Sequence, residues 1–169
     1  MYAYEVMAEV VSEDRLQQAL AYAAEKLRLD RLNEKQAEAI AAFIDGKDVF
    51  VNLPTGYGKS AVFQSVPFVL DYIGGGTDKS TALIVEPTAA VMRDQVLALK
   101  AKGISAEFIN HEQTDHEAKQ AVVKGKVKLV YISPESLSLP KYREMLCTES
   151  YQKNLTIFAV DEAHCILTW

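Results

Sequence analysis

Five short apolar runs recur along this chain, and stretches with helical spacing of apolar residues lie between them. The runs are continuous rather than alternating with polar residues, which is typical of strands covered on both faces. Strands that alternate with helices in this way predict an α/β fold, a parallel sheet with helices on both faces. The predicted strands are 48–52 (DVFVN), 81–85 (TALIV), 106–110 (AEFIN), 127–132 (VKLVYI) and 155–160 (LTIFAV).

Capping residues and glycines indicate where the helices begin and end. Ser12 can cap a first helix, and Asn33 can cap a second one that Gly46 stops. A third helix is expected from about Gly58, and Pro67 should kink or end it. Further helices are expected from Thr88 to Lys102, from a Thr114–Glu117 capping box to Gly125, and around Leu137 to Leu146.

The size and charge of the chain exclude several classes of protein. Its 169 residues suit one domain with a proper core. No run approaches the roughly 18 apolar residues of a membrane span, and the start, MYAYEVMAEV, lacks the features of a signal peptide, so no membrane partner is expected. Cys147 and Cys165 form no CxxC pair, which gives no indication of zinc or of a disulfide framework. The net charge of −5 argues against bulk-charge binding to nucleic acid, although not against a few local contacts.

The stretch LPTGYGKS, residues 53–60, directly follows the first predicted strand. Its loop residues are Thr55, Gly56, Tyr57 and Gly58. The two glycines can adopt backbone angles that other residues avoid, so the loop can turn its N–H groups inward around a phosphate. The helix that follows adds its positive end, Lys59 a charge for the β- and γ-phosphates, and Ser60 a hydroxyl ligand for Mg²⁺. This is the Walker A pattern of ATP-binding proteins, with Leu53 where the strict pattern has glycine.

A second candidate site is VDEAH, which ends the last predicted strand. A bound nucleotide needs a carboxylate for its metal and a base for the attacking water. Asp161 suits the first role, through a metal-bound water, and Glu162 suits the second. The alternative is that two acids end a strand because strand ends are wet. His164 has no partner at metal-ligand spacing, so zinc is not expected there.

Taken in order, LPTGYGKS, DEAHCI and the tryptophan after it resemble the first motor domain of RecQ-type DNA helicases. EPTAAVMRDQV (86–96) is similar to that family's Ser-Pro-Leu segment with Leu-Met-x-Asp-Gln, with Glu86 in place of the usual serine and Val91 in place of leucine. LVYISPESL (129–137) is close to the family's Tyr-x-Ser-Pro-Glu-x-Leu. The resemblance runs from about Leu27 to Trp169 and implies a RecA-like P-loop NTPase fold.

Upstream, LRLDRLNEKQ (27–36) resembles the segment that reads the adenine base in this family, with Gln36 at the reading glutamine. The family normally has an arginine at the position of Asn33. The same two residues also form the pattern of a helix capping pair, which leaves a structural alternative for Gln36.

The resemblance implies an ATP-dependent helicase that uses Mg²⁺ and unwinds DNA in the 3′-to-5′ direction. By position, Thr88, Arg93, Ser133 and Pro134 would lie along the DNA, and His164 and Trp169 would couple the ATP site to it. Structural alternatives exist here too, because Thr88 is a natural helix cap and Ser-Pro a natural turn.

The resemblance divides the chain into an N-terminal helical extension, 1–26, and a first RecA-like domain, 27–169. It also implies a second RecA-like domain, absent from this chain, that supplies an arginine to the transferred phosphate. We therefore expect the chain alone to bind Mg-ATP weakly and to hydrolyse it slowly or not at all. The expected location is intracellular: the nucleus in a eukaryote, the cytoplasm or nucleoid in a bacterium.

Two other functions are compatible with the motifs. One is a different superfamily 2 NTPase, such as an RNA helicase. The other is a short, non-enzymatic module that binds nucleotide or a partner. The intact Lys59, Asp161 and Glu162 argue against loss of the catalytic site.

Overall fold

The computed structural model describes residues 11–54 and 56–168. These form two compact units, one up to Ser80 and one from Thr81 onward. The predicted roles of Thr55 and Trp169 lie outside the described residues, as do the first ten residues of the predicted N-terminal extension. The division of the chain at residue 26 into extension and domain stays a prediction.

Among its described residues, the first unit contains three helices: α1 (Glu13–Lys26), α2 (Glu34–Ile44) and α3 (Lys59–Ile73). Both α1 and α2 pack on α3. The caps are those predicted, because the Ser12 side chain accepts from the Arg15 N–H and Asn33 forms a complete capping box with Gln36. Apolar side chains from all three helices, among them Ala23, Ile40 and Val69, are fully buried.

The predicted strand at 48–52 is not formed. The segment has no regular secondary structure: Val49 and Val51 are half-buried, but it joins no ladder among the described residues, and Phe50 is 81% exposed. A strand exists only when a neighbouring strand accepts its backbone hydrogen bonds, and an apolar run cannot specify that neighbour.

Pro67 is expected to kink or end the third helix, and it does not end it. Helix α3 continues through Pro67 to Ile73, and Gly74 is its C-cap. A proline removes one helical hydrogen bond, whereas Val66, Phe68 and Val69 around it are all buried. Their burial stabilises the helix through the proline.

The second unit contains a four-stranded sheet made of β1 (Thr81–Val85), β2 (Ala106–Ile109), β3 (Leu129–Ile132) and β4 (Leu155–Val160). The order is β2-β3-β1-β4, and every pairing is parallel. All residues of β1 and β3 are buried, as expected for central strands covered on both faces. The predicted α/β class, a parallel sheet of RecA-like type, is confirmed.

Five helices lie between these strands: α4 (Ala89–Ala101), α5 (His116–Val123), α6 (Pro134–Ser138), α7 (Pro140–Leu146) and α8 (Glu149–Asn154), and a 3-10 turn, Ala163–Thr168, follows β4. One core cluster joins sheet residues such as Leu83 and Val130 to Val122, Met145 and Tyr151 of the helices.

Two helix predictions in this unit need correction. The cap of α5 is Asp115, not Thr114, because the Asp115 carboxylate accepts from the Glu117 and Ala118 N–H groups. The single helix expected around 137–146 is two, since Leu139 precedes a proline and is extended. Helix α8 is not predicted, because its six residues carry too little periodicity to be recognised.

Candidate nucleotide and nucleic-acid site

The phosphate loop has the backbone that the glycine pattern predicts. Gly56 and Gly58 both lie in the left-handed region, with φ of 83° and 77°. The Tyr57 N–H donates to the Pro54 carbonyl at 3.2 Å, which closes the turn. Gly58 is the N-cap of α3 and carries no capping side chain. The first N–H groups of α3 therefore lack a side-chain cap, which suits an anion.

Lys59 begins α3 and folds back across the loop. Its Nζ donates to the Leu53 carbonyl oxygen at 3.0 Å. An ammonium group that donates to a neutral carbonyl can exchange it for a phosphate, because a charged phosphate oxygen is the stronger hydrogen-bond acceptor. Ser60 lies half-buried in the first turn of the same helix. Loop, lysine and hydroxyl fit a bound nucleotide phosphate chain and its metal.

Gln36 braces this loop from α2. It is buried, and its Oε1 accepts from the Asn33 N–H at 2.8 Å within the capping box. Its Nε2 donates to the carbonyl oxygens of Gly58, at 2.9 Å, and Tyr57, at 3.4 Å. The capping role open at the sequence level is therefore present, and the reading of adenine by Gln36 stays a prediction.

The acidic pair follows β4 at the carboxyl edge of the sheet. The Asp161 N–H donates to the Val85 carbonyl at 2.9 Å, which anchors Asp161 beside the end of β1. Glu162 has a φ of 50°, unusual for a non-glycine residue, and its N–H donates to Asp161 Oδ1 at 3.0 Å. Such backbone strain often accompanies functional residues.

Glu162 also forms a contact that the motif did not predict. Its Oε2 lies 3.2 Å from His164 Nδ1, and both side chains are substantially exposed. The histidine is therefore placed to orient the carboxylate expected to act as base. Among the residues that the structure describes, no group of three or more acidic, histidine or cysteine side chains is arranged to hold a metal ion by itself.

Glu86 is a buried carboxylate at the same edge that sequence reasoning noted only as a departure from the usual serine. It is 1% exposed, and its Oε1 accepts from the Thr88 N–H at 2.7 Å. Burial is the main cause that raises the pKa of Glu86, and the negative charges of Asp161 and Glu162 raise it further. Three carboxylates thus lie at the ends of the paired strands β1 and β4.

The predicted DNA-contacting residues lie after neighbouring strands. Thr88 is exposed and is the N-cap of α4, although its side chain makes no capping hydrogen bond. Arg93, one turn further on, pairs with Glu112. Ser133 is buried and its Oγ accepts from the Ser136 N–H at 3.2 Å, so it caps α6, which Pro134 begins. These placements leave the DNA roles as predictions.

A glycine loop before a helix and an acidic pair after a parallel strand define a P-loop α/β protein. The model of the DEAD/DEAH box helicase family matches residues 33–169. The chain therefore belongs to the DEAD/DEAH box helicase family.

The relatives confirm the resemblance to RecQ-type first motor domains. The chain is 35% identical over 137 residues to the ATP-dependent DNA helicase RecQ of Haemophilus influenzae, an alignment that covers 79% of this chain and 20% of that protein. It is 35% identical to the ATP-dependent helicase SGS1 of Saccharomyces cerevisiae, over 86% of this chain and 10% of that protein. The chain is also 34% identical to a probable ATP-dependent DNA helicase, RecS of Bacillus subtilis, over 79% of this chain and 25% of that protein. The chain thus spans a quarter or less of these relatives, and their names do not favour the RNA-helicase alternative. None of the described helices is long and apolar enough to cross a membrane.

Proposed function

We propose that the whole protein is an ATP-dependent DNA helicase working in the 3′-to-5′ direction, and that this chain supplies the ATP-binding part of its first motor domain. The observation that carries the proposal is the phosphate loop, in which two left-handed glycines precede a helix that Lys59 begins. An intracellular location follows from a DNA substrate.

On the nucleotide side, the loop N–H groups and Lys59 would bind the β- and γ-phosphates, and Gln36 would read the adenine. Ser60 and Asp161 would hold Mg²⁺, Asp161 through water. Bound Mg-ATP supplies a phosphoryl group whose transfer to water releases the free energy for unwinding. Glu162, oriented by His164, would accept the proton of that water.

On the DNA side, Thr88, Arg93, Ser133 and Pro134 would follow the phosphate backbone at the carboxyl edge of the sheet. The hydroxyl of Thr88, which is an exposed residue, and the guanidinium of Arg93 are donors of the kind that bind phosphate oxygens. His164 and Trp169 would transmit the state of the nucleotide site to the DNA. The net charge of −5 fits contacts that are few and local.

Steady-state ATP turnover with Mg²⁺, with and without single-stranded DNA, tests this function, with Lys59→Ala as control. We expect the chain alone to show turnover no higher than the control, and a protein that also contains a second motor domain to show DNA-stimulated turnover that Lys59→Ala abolishes.

Two results would contradict the proposal. Stimulation by single-stranded RNA but not by DNA would favour an RNA helicase. Turnover by the longer protein that Lys59→Ala leaves unchanged would exclude the phosphate loop as the ATP site.

A further inference from the structure

The pair between Arg93 and Glu112 joins a predicted DNA contact to an acid with no assigned role. Arg93 Nη1 lies 2.5 Å from Glu112 Oε2, and the two side chains are 49% and 40% exposed. The other carboxylate oxygen of Glu112 is 4.0 Å from His111 Nε2. Arg93 lies on α4, whereas Glu112 lies in the loop after β2, so the contact spans two elements.

The loop that carries Glu112 is held in place. Asn110 is buried, and its Oδ1 accepts from the N–H groups of Glu112, at 3.0 Å, and Gln113, at 2.9 Å. Gln113 Nε2 reaches back to the Phe108 carbonyl at 3.4 Å. The two hydrogen bonds from backbone N–H groups to the buried Asn110 side chain fix the start of the loop. They therefore hold the Glu112 backbone in a position from which its carboxylate contacts Arg93.

We infer that Glu112 is a positioning residue that competes with DNA phosphate for the guanidinium of Arg93 and so lowers the affinity of this domain for single-stranded DNA. The inference rests on the proposed function, in which Arg93 contacts the DNA. The Glu112 carboxylate occupies an Nη1 N–H that a phosphate would otherwise use and partly neutralises the guanidinium charge, so a phosphate gains less from binding Arg93.

The exposure of the pair sets the size of the effect. Ion pairs open to solvent are weak, so DNA displaces Glu112 readily, and the pair attenuates binding rather than blocking it. Converted to affinity, the loss of such a pair corresponds to a roughly two- to fivefold change in Kd. A carboxylate that loses its arginine also gathers cations from solution, which opposes the counterion release that drives DNA binding.

The chain offers a matched control on the same helix. Lys100 of α4 pairs with Glu107 of β2 at 2.6 Å, and its exposure of 47% resembles that of Arg93. Glu107→Gln and Glu112→Gln remove the same charge from the same region. Only Glu112→Gln frees a predicted DNA contact, so a difference between the two variants cannot come from net charge.

The experiment is a titration of fluorescein-labelled oligothymidylate with the chain, followed by anisotropy over a series of salt concentrations. We expect Glu112→Gln to tighten binding two- to fivefold at low salt and to steepen the plot of log affinity against log salt by up to about 0.7. Glu107→Gln should leave both unchanged. Arg93→Gln should weaken binding, and adding Glu112→Gln to it should then change nothing.

Several outcomes would overturn the inference. Equal tightening by the Glu107 and Glu112 variants would show a bulk-charge effect, and tightening by Glu112→Gln in the Arg93→Gln background would show that Glu112 acts without Arg93. Failure of both wild type and Glu112→Gln to bind would also contradict it. The proposed ATP site is judged separately, by loss of Mg-ATP binding in Lys59→Ala, so the two proposals can fail independently.

Discussion

Gly58 is the residue at which the phosphate loop meets the capping pair of α2. Its φ of 77° already disfavours any side chain, and a Cβ placed there would lie 2.6 Å from Gln36 Nε2. Gly56 has a similar φ of 83°, yet its Cβ would have nothing within 4 Å. Substitutions at the two positions can therefore separate the cost of a strained backbone, which both share, from the cost of steric crowding, which only Gly58 has.

We expect Gly56→Ala to lower the free energy of unfolding by about 1–2 kcal/mol, the cost of a left-handed alanine. Gly58→Ala should cost about 1 kcal/mol more, because Gln36 must give up its bond to the Gly58 carbonyl. Urea unfolding of both variants measures the difference. In a Gln36→Ala background the two costs should become equal; a persisting difference would contradict the crowding argument.

Glu86 makes stability depend on pH in a defined direction. Burial raises the pKa of Glu86 above its ordinary value of 4.5, so the folded chain keeps this proton over a pH range in which the unfolded chain has lost it. The free energy of unfolding therefore falls as the pH rises through that range. Glu86→Gln removes the titration while keeping an oxygen that can accept from the Thr88 N–H.

We expect Glu86→Gln to be more stable than wild type at pH 7, with the gain shrinking as the pH falls toward and below 4.5. Denaturant unfolding at a series of pH values measures this. Glu86→Ala serves as the control: it removes the Thr88 bond as well and should be less stable than Glu86→Gln at every pH. A gain from Glu86→Gln that stays constant with pH would show that ionisation of Glu86 is not its cause.

At the scale of elements, the C-terminal end of α5 depends on Gly125. Gly125 has a φ of 65°, and a Cβ there would press on Ser150 Oγ and lie 3.0 Å from Ser150 Cβ, at the start of α8. The residue after Ser150 adds a hydrogen bond, because Tyr151 Oη donates to the Val122 carbonyl of α5 at 2.7 Å. The approach of α5 and α8 is thus close and specific.

Gly103, just after α4, provides the comparison, since its φ is 82° but its Cβ would meet open space. We expect Gly103→Ala to cost about 1–2 kcal/mol of unfolding free energy. Gly125→Ala should cost about 1–3 kcal/mol beyond that, because the two helices must move apart. Thermal and urea unfolding measure both costs. Equal losses of unfolding free energy for Gly103→Ala and Gly125→Ala would mean that α8 can shift away from Gly125 without an energetic cost.

At the scale of the whole molecule, binding of a ligand should raise the free energy of unfolding. A ligand that binds only the folded chain adds about 2.7 kcal/mol at a concentration of 100 times its Kd. We expect Mg-ATP to raise the Tm of the chain, and we expect EDTA or Lys59→Ala to abolish the rise. A rise that survives both would mean that nucleotide binds elsewhere than the phosphate loop.

Much of the second unit could be predicted from local pattern. The apolar runs of β1, β3 and β4 were sufficient there, as were the caps Ser12 and Asn33 in the first unit, because periodicity and capping act over one or two turns. The left-handed glycine loop and the acids at a strand end could be predicted for the same reason, because the residues that form each of them are contiguous in sequence.

The errors at segment 48–52 and at Pro67 share one physical cause, which is dependence on partners distant in sequence. Segment 48–52 is apolar but has no neighbouring strand among the described residues, and burial of the surrounding helix stabilises α3 through Pro67. The Arg93–Glu112 pair and the brace of Gln36 on the Gly58 carbonyl join residues 19 and 22 positions apart. The sequence by itself determined the α/β class and the residue pattern of the phosphate loop and acidic pair. Only the tertiary structure decided which strands pair, that Glu86 is buried beside those acids, and which side chains already occupy the predicted contacts, because such free energies arise only when remote segments meet.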